Sequence, residues 1–213
     1  MIQNELLGVS SKAFAPKIKL EHMVTFSDAV FAFALTLMAL TVDIPDLESN
    51  LTEQQLVQEL VDMIPQLETY ILSFFIIALF WISYHQVFNH IKESHITIVH
   101  LNLIFLLLIT ILSISTSLVI SFNEYQIAYL IYYTVVIITS GLMLLIWWYA
   151  SRIKAIDENT HPLYKKGMLV QLSIIPIVFF LALLTSFISL TAAQYCWLVI
   201  IPIYILIRHK FKH

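Results

Sequence analysis

Charged side chains are scarce in this chain of 213 residues, since only 12% of them are Asp, Glu, Lys or Arg. A typical soluble domain carries about 25%. A single cysteine, Cys196, excludes a disulfide scaffold and every multi-cysteine zinc pattern, and three glycines exclude collagen-like and glycine-linker compositions. The net charge of −3 provides no basic face, so no nucleic-acid partner is expected. With 60% apolar residues, the composition indicates an integral membrane protein.

Apolar residues are grouped into six runs. The runs cover residues 24–44, 66–88, 96–120, 126–150, 168–190 and 193–207. A helix that spans a membrane needs about 20 such residues, which five runs provide and the shorter sixth run reaches only with flanking residues. The sequence therefore predicts an all-α integral membrane protein with six transmembrane helices in one domain, residues 24–207.

The positive charges predict the orientation of this domain. All eleven Lys and Arg residues fall on one side of a chain that crosses the membrane six times, while the opposite side carries most of the Asp and Glu residues. Because Lys and Arg are enriched in cytoplasmic loops, both termini are predicted to be cytoplasmic. Residues 1–23 then form a cytoplasmic N-terminal segment, and residues 208–213 form a basic cytoplasmic tail.

Residues 51–64 lie on the outer side between the first two runs. Their apolar residues have helical spacing, with acidic and amide residues between them. This pattern predicts a short amphipathic helix at the membrane surface. An interfacial cover over the bundle is favoured over a regulatory element, and the acidic charge would also enrich cations at a pore mouth.

Ionisable groups inside a membrane span are costly and usually face the interior of the bundle. Asp28, His85, His100 and Asn102 fall at similar depth near the cytoplasmic ends of the first three runs. Either these residues coordinate an ion, or they clamp three helices together while hydrogen bonds from Ser27 and the other groups keep Asp28 ionised. Their position near one end of the spans favours the clamp.

The first run also carries one continuous face. Ala29, Phe33, Thr36, Leu37 and Leu40 follow spacings of three and four residues, and only Thr36 among them is polar. In a monomer such a face is packing, which is the commoner meaning of an apolar stripe. In a symmetric oligomer it would line a pore closed by hydrophobic rings that gate by dewetting.

Three segments resemble the transmembrane protein 175 family of potassium channels. FSDAVFA at 26–32 is similar to the Phe-Ser-Asp motif and apolar first helix of that family. WISYHQVF at 81–88 resembles its Trp-x-x-His-His-x-x-Phe pattern, and LNLIFL at 101–106 resembles the Asn-containing start of its third helix. Six spans with both termini inside match its single-repeat bacterial members, which assemble as tetramers.

The resemblance implies a homotetrameric potassium channel in the lipid bilayer of a cell membrane, specifically a bacterial inner membrane. Helix 1 of each subunit would line a central pore, with a hydrophobic constriction instead of a carbonyl-lined filter. Potassium ions would be the permeant species, and no cofactor, bound metal or enzymatic activity is implied. Carried onto this chain, the constriction and its hydroxyl layer fall at Phe33, Thr36, Leu37 and Leu40.

The same resemblance implies a gating or structural network that faces away from the pore and ties helix 1 to helices 2 and 3. Its residues would be His22, Phe26, Ser27, Asp28, Trp81, His85 and Asn102.

Three positions depart from the family pattern. His22 stands where the family has arginine, Tyr84 replaces the first paired histidine, and Phe33 replaces an aliphatic residue at the tightest ring. Four phenyl rings would block the axis more completely than aliphatic side chains, or helix 1 would be rotated so that Leu35 faces inward.

Two other functions remain open. A proton- or cation-coupled secondary transporter would use Asp28 and the membrane histidines, although such transporters have repeated halves with broken helices. Pro176 and Pro202 have no counterpart in the first three runs. A non-conducting structural protein sealed by Phe33 is the third possibility.

Replacing His22 tests whether this position makes the network sensitive to protons. An ordinary histidine titrates between roughly pH 5.5 and 7.5, whereas arginine stays charged. We expect the current of the wild-type protein to change over this interval and the His22→Arg variant to lose that change, as measured in planar bilayers. An unchanged pH dependence in the variant would show that another group titrates.

Overall fold

The computed structural model describes residues 18–42, 52–157 and 160–200. Its regular elements, in chain order, are α1 (Leu20–Ala39), α2 (Glu53–Asp62), α3 (Ile64–Phe88), α4 (Ile96–Ser121), α5 (Gln126–Arg152), α6 (Pro162–Ser186), α7 (Leu190–Tyr195) and a 3₁₀ turn (Cys196–Val199). Within the described ranges, five helical stretches are long and apolar enough to cross a membrane: α1, α2 continued by α3, α4, α5 and α6. The all-helical, multi-pass architecture predicted from the apolar runs is confirmed.

The predicted sixth span differs from the structure in its described part. A helix was expected from residue 193, but α7 begins at Leu190 and gives way to the 3₁₀ turn at Cys196. The hydroxyl of Ser189 accepts a hydrogen bond from the backbone N–H of Ala192, which fixes the start of α7. The rest of that run and the basic tail lie outside the described residues.

Two helix starts also differ from the apolar runs. α1 begins at Leu20 instead of residue 24, and α6 begins at Pro162 instead of residue 168. Proline at the first helical position loses no hydrogen bond there, and the imidazole of His161 accepts a hydrogen bond from the N–H of Leu163. The apolar runs in the sequence leave out the first turns of α1 and α6 because some residues of these turns are polar.

The segment predicted to be amphipathic forms α2 and runs almost directly into α3. Thr52 and Gln55 cap α2 reciprocally: each side chain accepts a hydrogen bond from the backbone N–H of the other residue. No residue of α2 is buried, and Val57, Leu60 and Val61 are exposed. An apolar face that no other described part of the chain covers is typical of a helix that lies at a membrane surface.

The core that positions α1 is rich in aromatic rings. α1 packs against α3 and α4, α4 packs against α5, and α5 packs against α6. Phe31 of α1 lies 5.7 Å from the ring of Tyr84 in α3 and 6.0 Å from that of Phe105 in α4, measured between ring centroids. Such tilted pairs add to the burial of apolar area, so one face of α1 is held by a continuous aromatic cluster.

The loops that follow α3 and α5 meet at one end of the bundle. Ile91 and Ile156 form an antiparallel bridge, in which the N–H of Lys92 donates to the carbonyl of Ala155 over 2.8 Å. The ammonium group of Lys92 lies 3.5 Å from a carboxylate oxygen of Asp157. The cationic loops after α3 and α5 are therefore neighbours at the same end of the molecule.

Candidate functional site

The carboxylate of Asp28 links α1 to α3. The indole N–H of Trp81 donates a hydrogen bond of 2.8 Å to Oδ1 of Asp28, and Nε2 of His85 lies 2.8 Å from the same oxygen. Trp81 and His85 are four residues apart and so lie on one face of α3. Their rings pack edge to face, with centroids 4.8 Å apart. The carboxylate is only half-buried, at the edge of the contact between the helices.

The neighbouring residue, Ser27, connects three helices through one oxygen. Its hydroxyl donates to the carbonyl of Met23 at 2.8 Å and accepts hydrogen bonds from the hydroxyl of Tyr84 at 2.8 Å and from the amide of Asn102 at 3.1 Å. Ser27, Tyr84 and Asn102 are fully buried. Because a buried polar group without a partner is costly, this arrangement strongly favours one position of α1 on α3 and α4.

Tyr84 belongs to this cluster, although it was not predicted as a site residue. Its ring stacks on Phe88, with centroids 4.2 Å apart and an interplanar angle of 26°. The core face of α3 is formed by Ile76, Ile77, Phe80, Tyr84 and Val87. Helical spacing of these apolar positions placed Tyr84 on that face, so the signal for a buried hydroxyl beside the serine was present in the sequence.

His100 is not brought to the cluster. It is exposed, whereas Asn102, two residues later, is buried. Two residues turn an α-helix by about 200°, so the two side chains lie on nearly opposite faces of α4. Of the histidines in the described part of the chain, His85 is the one that lies beside Asp28, so a site built from several membrane histidines is not formed there.

His22 and Phe26 also lie apart from the polar cluster, contrary to the expectation that they share its inward face. Phe26 is 54% exposed, and His22 is exposed and makes no hydrogen bond to the described residues. The rotation of α1 explains this. Ser27 lies at the centre of the packed face. Phe26 precedes it by one position and His22 by five, so these two residues lie about 100° and 140° around the helix from Ser27.

The residues predicted to form a constriction lie on the exposed side of α1. Phe33 is 62% exposed and Leu40 is 77% exposed, whereas Phe31, Ala34 and Met38 of the opposite face are buried. We call the exposed set the α1 stripe; it consists of His22, Phe26, Ala29, Phe33, Thr36, Leu37 and Leu40. Leu35 is partly buried and packs against the core. α1 therefore presents Phe33, and not Leu35, on its exposed side.

Thr36 is the polar residue in the central part of the α1 stripe. Its hydroxyl donates to the carbonyls of Ala32 and Phe33, each at 3.0 Å. The proton is thereby directed to the backbone, and both lone pairs of the oxygen stay available to accept. An oxygen that can accept but not donate at this point would interact with a cation.

The polar cluster should contribute more to stability than to ion discrimination. We expect Asp28→Ala and Tyr84→Phe each to lower the thermal stability of the purified protein. Hydrogen bonds to charged groups contribute about 1.5–3 kcal/mol and neutral ones about 1 kcal/mol, and the value for Asp28 falls at the low end because its carboxylate is partly exposed. Tyr125→Phe, which removes an exposed hydroxyl, is the matched control. A variant with full stability and an altered permeability ratio would contradict this assignment.

Part of this chain is similar to a known protein family. The sequence model of the family described as endosomal/lysosomal potassium channel TMEM175 matches residues 22–112, which extend from α1 through most of α4. No curated protein matches the chain by sequence.

Two solved channels have a similar fold. One is a lysosomal potassium-selective channel TMEM175 homolog from Chamaesiphon minutus, with a TM-score of 0.75 and 21% identity over 88% of this chain and 97% of that one. The other is a variant of the potassium channel MtTMEM175 in complex with a nanobody fusion protein, with a TM-score of 0.61 and 18% identity over 92% of this chain and 94% of that one. The predicted similarity to the TMEM175 potassium channel family is thus confirmed, by sequence for residues 22–112 and by fold for most of the chain.

Proposed function

We propose that this protein is a potassium-permeable cation channel in which the α1 stripe of each subunit lines a central pore. The observation that carries the proposal is the exposure of Phe33, Thr36, Leu37 and Leu40 on one side of a helix whose other side is anchored in the core. The fold shared with TMEM175 homologue channels supports the same conclusion.

The low burial of α1 within one subunit favours contact of its exposed face with other subunits over contact with lipid. Only 28% of the apolar stretch of α1 is buried, compared with 39–44% in the other four spans. The exposed face carries Thr36 in its centre and His22 at its end, and polar side chains in a span usually face protein or a water-filled cavity. Four copies of α1 around an axis would give these residues such a surrounding.

In a homotetramer the α1 stripe would form a series of rings. Phe33, Leu37 and Leu40 are separated by about one helical turn each, which spaces their rings by roughly 5 Å along the axis. A narrow apolar ring excludes water and so resists ions through the loss of their hydration. Thr36 would supply oxygen atoms between the apolar rings, and the constriction would need no carbonyl-lined loop.

The polar cluster would determine which residues reach the axis. A helix turns by about 100° per residue. If the residue next to Ser27 took its place in the contact with α3 and α4, α1 would rotate by that angle and Phe33 would move from the exposed side toward the core. Movement of α1 against Trp81 and His85 would therefore couple the cluster to the width of the pore, which is the sense in which we regard it as a gating network.

The positions of the cations support cytoplasmic termini. The loops after α3 and α5, which carry Lys92 and Lys154, are joined by the bridge between Ile91 and Ile156. Clustering of Lys and Arg at one end is the signal for the cytoplasmic side. We therefore propose a multi-pass protein of the cell membrane, in particular a bacterial inner membrane, with this end inside.

Single-channel recording tests the proposal directly. Purified protein in planar bilayers, under a bi-ionic gradient of potassium and sodium, should show unitary current steps and a reversal potential displaced toward that of potassium. Saturable flux without unitary steps would contradict the channel and favour a carrier that uses the pair formed by Asp28 and His85. The absence of flux from folded tetramers would favour a non-conducting structural protein.

Shortening Phe33 should open the constriction. We expect Phe33→Ala to raise the unitary conductance and to weaken discrimination between potassium and sodium, because the ring becomes wider and wetter. Leu35→Ala should mainly destabilise the protein, by less than the roughly 2–5 kcal/mol of a fully buried leucine because Leu35 is only partly buried. Both variants are compared by bilayer recording and thermal unfolding.

Phe75→Ala is the matched control, since Phe75 is a similarly exposed phenylalanine on α3. It should leave permeation unchanged. A leaky phenotype from Leu35→Ala with simple destabilisation from Phe33→Ala would mean that α1 is rotated in the assembled channel. No change in permeation from either variant, in protein verified as oligomeric, would remove α1 from the pore.

A further inference from the structure

A cavity of about 560 Å³ lies at the end of the bundle where α3 and α5 begin. Its walls come from the first turns of α3 and α5, the loop between α4 and α5, and the segment formed by α7 and the 3₁₀ turn. The basic loops follow the last turns of α3 and α5 and so lie at the opposite end. Cavities of about 300–1,000 Å³ are the size that holds small organic molecules.

The charge at this cavity is of one sign. Glu68 of α3 and Glu124 of the loop between α4 and α5 both line it, and no Lys or Arg of the described residues does. A mouth with carboxylates and no cation attracts positively charged solutes and repels anions.

Aromatic rings form much of the remaining wall. Tyr129, Tyr132 and Tyr133 contribute from α5, and Tyr195 and Trp197 contribute from the segment that covers it. The face of an aromatic ring attracts a cation, most strongly when water is partly excluded, and cages of such rings recognise quaternary ammonium groups.

One hydroxyl group at this cavity has no partner in the described part of the chain. The side chain of Tyr133 is 4% exposed, and its hydroxyl is buried without a hydrogen bond. Its neighbours are paired: the hydroxyl of Ser73 donates to that of Tyr132, and the amide of Gln194 donates to that of Tyr129. An unpaired buried hydroxyl is unusual in a folded protein and sets Tyr133 apart from its paired neighbours in this wall.

We propose that this cavity binds an organic ammonium group. The carboxylates supply the charge and the rings supply the faces for the cation, and the unpaired hydroxyl of Tyr133 lies in the same wall. A hydrocarbon chain alone would fit less well, because it would bring no positive charge to the two carboxylates. The ammonium group belongs either to a free solute or to the headgroup of a phosphatidylethanolamine. α1 contributes no residue to the cavity, so this binding is independent of the proposed pore.

Binding of choline by the full-length protein tests the proposal. The protein is reconstituted in nanodiscs of phosphatidylglycerol, which has no ammonium headgroup, and radiolabelled choline is titrated at low salt. We expect saturable binding that 3,3-dimethyl-1-butanol, the uncharged isostere of choline, does not displace. The double variant Glu68→Gln and Glu124→Gln should bind on the order of tenfold more weakly, as should Tyr195→Leu.

The controls are Glu59→Gln, which removes a carboxylate of α2 outside the cavity, and Tyr125→Leu, which removes an exposed ring outside it. Both should bind choline as the wild type does. Absence of saturable binding to folded wild-type protein would overturn the proposal. Equal displacement by the uncharged isostere, or equal weakening by the control variants, would overturn it too.

A second experiment identifies the source of the ammonium group. Nanodiscs that contain phosphatidylethanolamine should weaken the binding of choline if the lipid headgroup occupies the cavity, and native mass spectrometry should then detect retained lipid that the double variant loses. Unchanged choline binding in these nanodiscs supports a free solute as the ligand. Phe33 variants with unchanged permeation would leave both measurements unaffected, so failure of the proposed pore and failure of this site are distinguishable.

Discussion

One hydroxyl group, that of Ser27, is shared by three helices, and the geometry of α1 depends on it. It donates to its own helix and accepts from Tyr84 of α3 and Asn102 of α4. In a membrane the apolar surfaces of helices do not drive association, since lipid is equally apolar, so close packing and polar contacts between helices determine their relative positions. A buried serine with every hydrogen-bonding capacity used therefore fixes the rotation and depth of α1 far better than its leucine and phenylalanine contacts alone.

The division of α1 into two faces follows from that anchor. Phe31, Ala34 and Met38 lie on the same side as Ser27 and are buried, while the α1 stripe lies on the other side. Asp28 lies between the two faces and is half-buried, where Trp81 and His85 satisfy its carboxylate. The charged carboxylate of Asp28 lies at the edge of the contact between the helices, where residual hydration lowers the cost of burying it. The neutral hydroxyl of Ser27 lies at the centre of that contact.

The two ends of the bundle have different chemistry. At the end where α3 and α5 finish, cations and backbone pairing join the loops around Ile91 and Ile156. At the other end, carboxylates and tyrosines surround a cavity. This segregation matches the distribution of charge that is typical of membrane proteins, in which Lys and Arg are kept on one side. Among the described residues no Lys or Arg lines the cavity, so its carboxylates attract cations.

The sequence by itself determined the helical class, most of the spans and the motif that anchors α1, because apolar runs of sufficient length must become helices in lipid and because ionisable groups there must find partners. It also predicted the spacing of Phe33, Thr36, Leu37 and Leu40 along one face. Only the tertiary structure decided which way each face points: Tyr84 enters the cluster, while His100 and Phe26 stay outside it. These outcomes depend on the rotation of each helix against its neighbours, which is set by contacts between residues more than 50 positions apart.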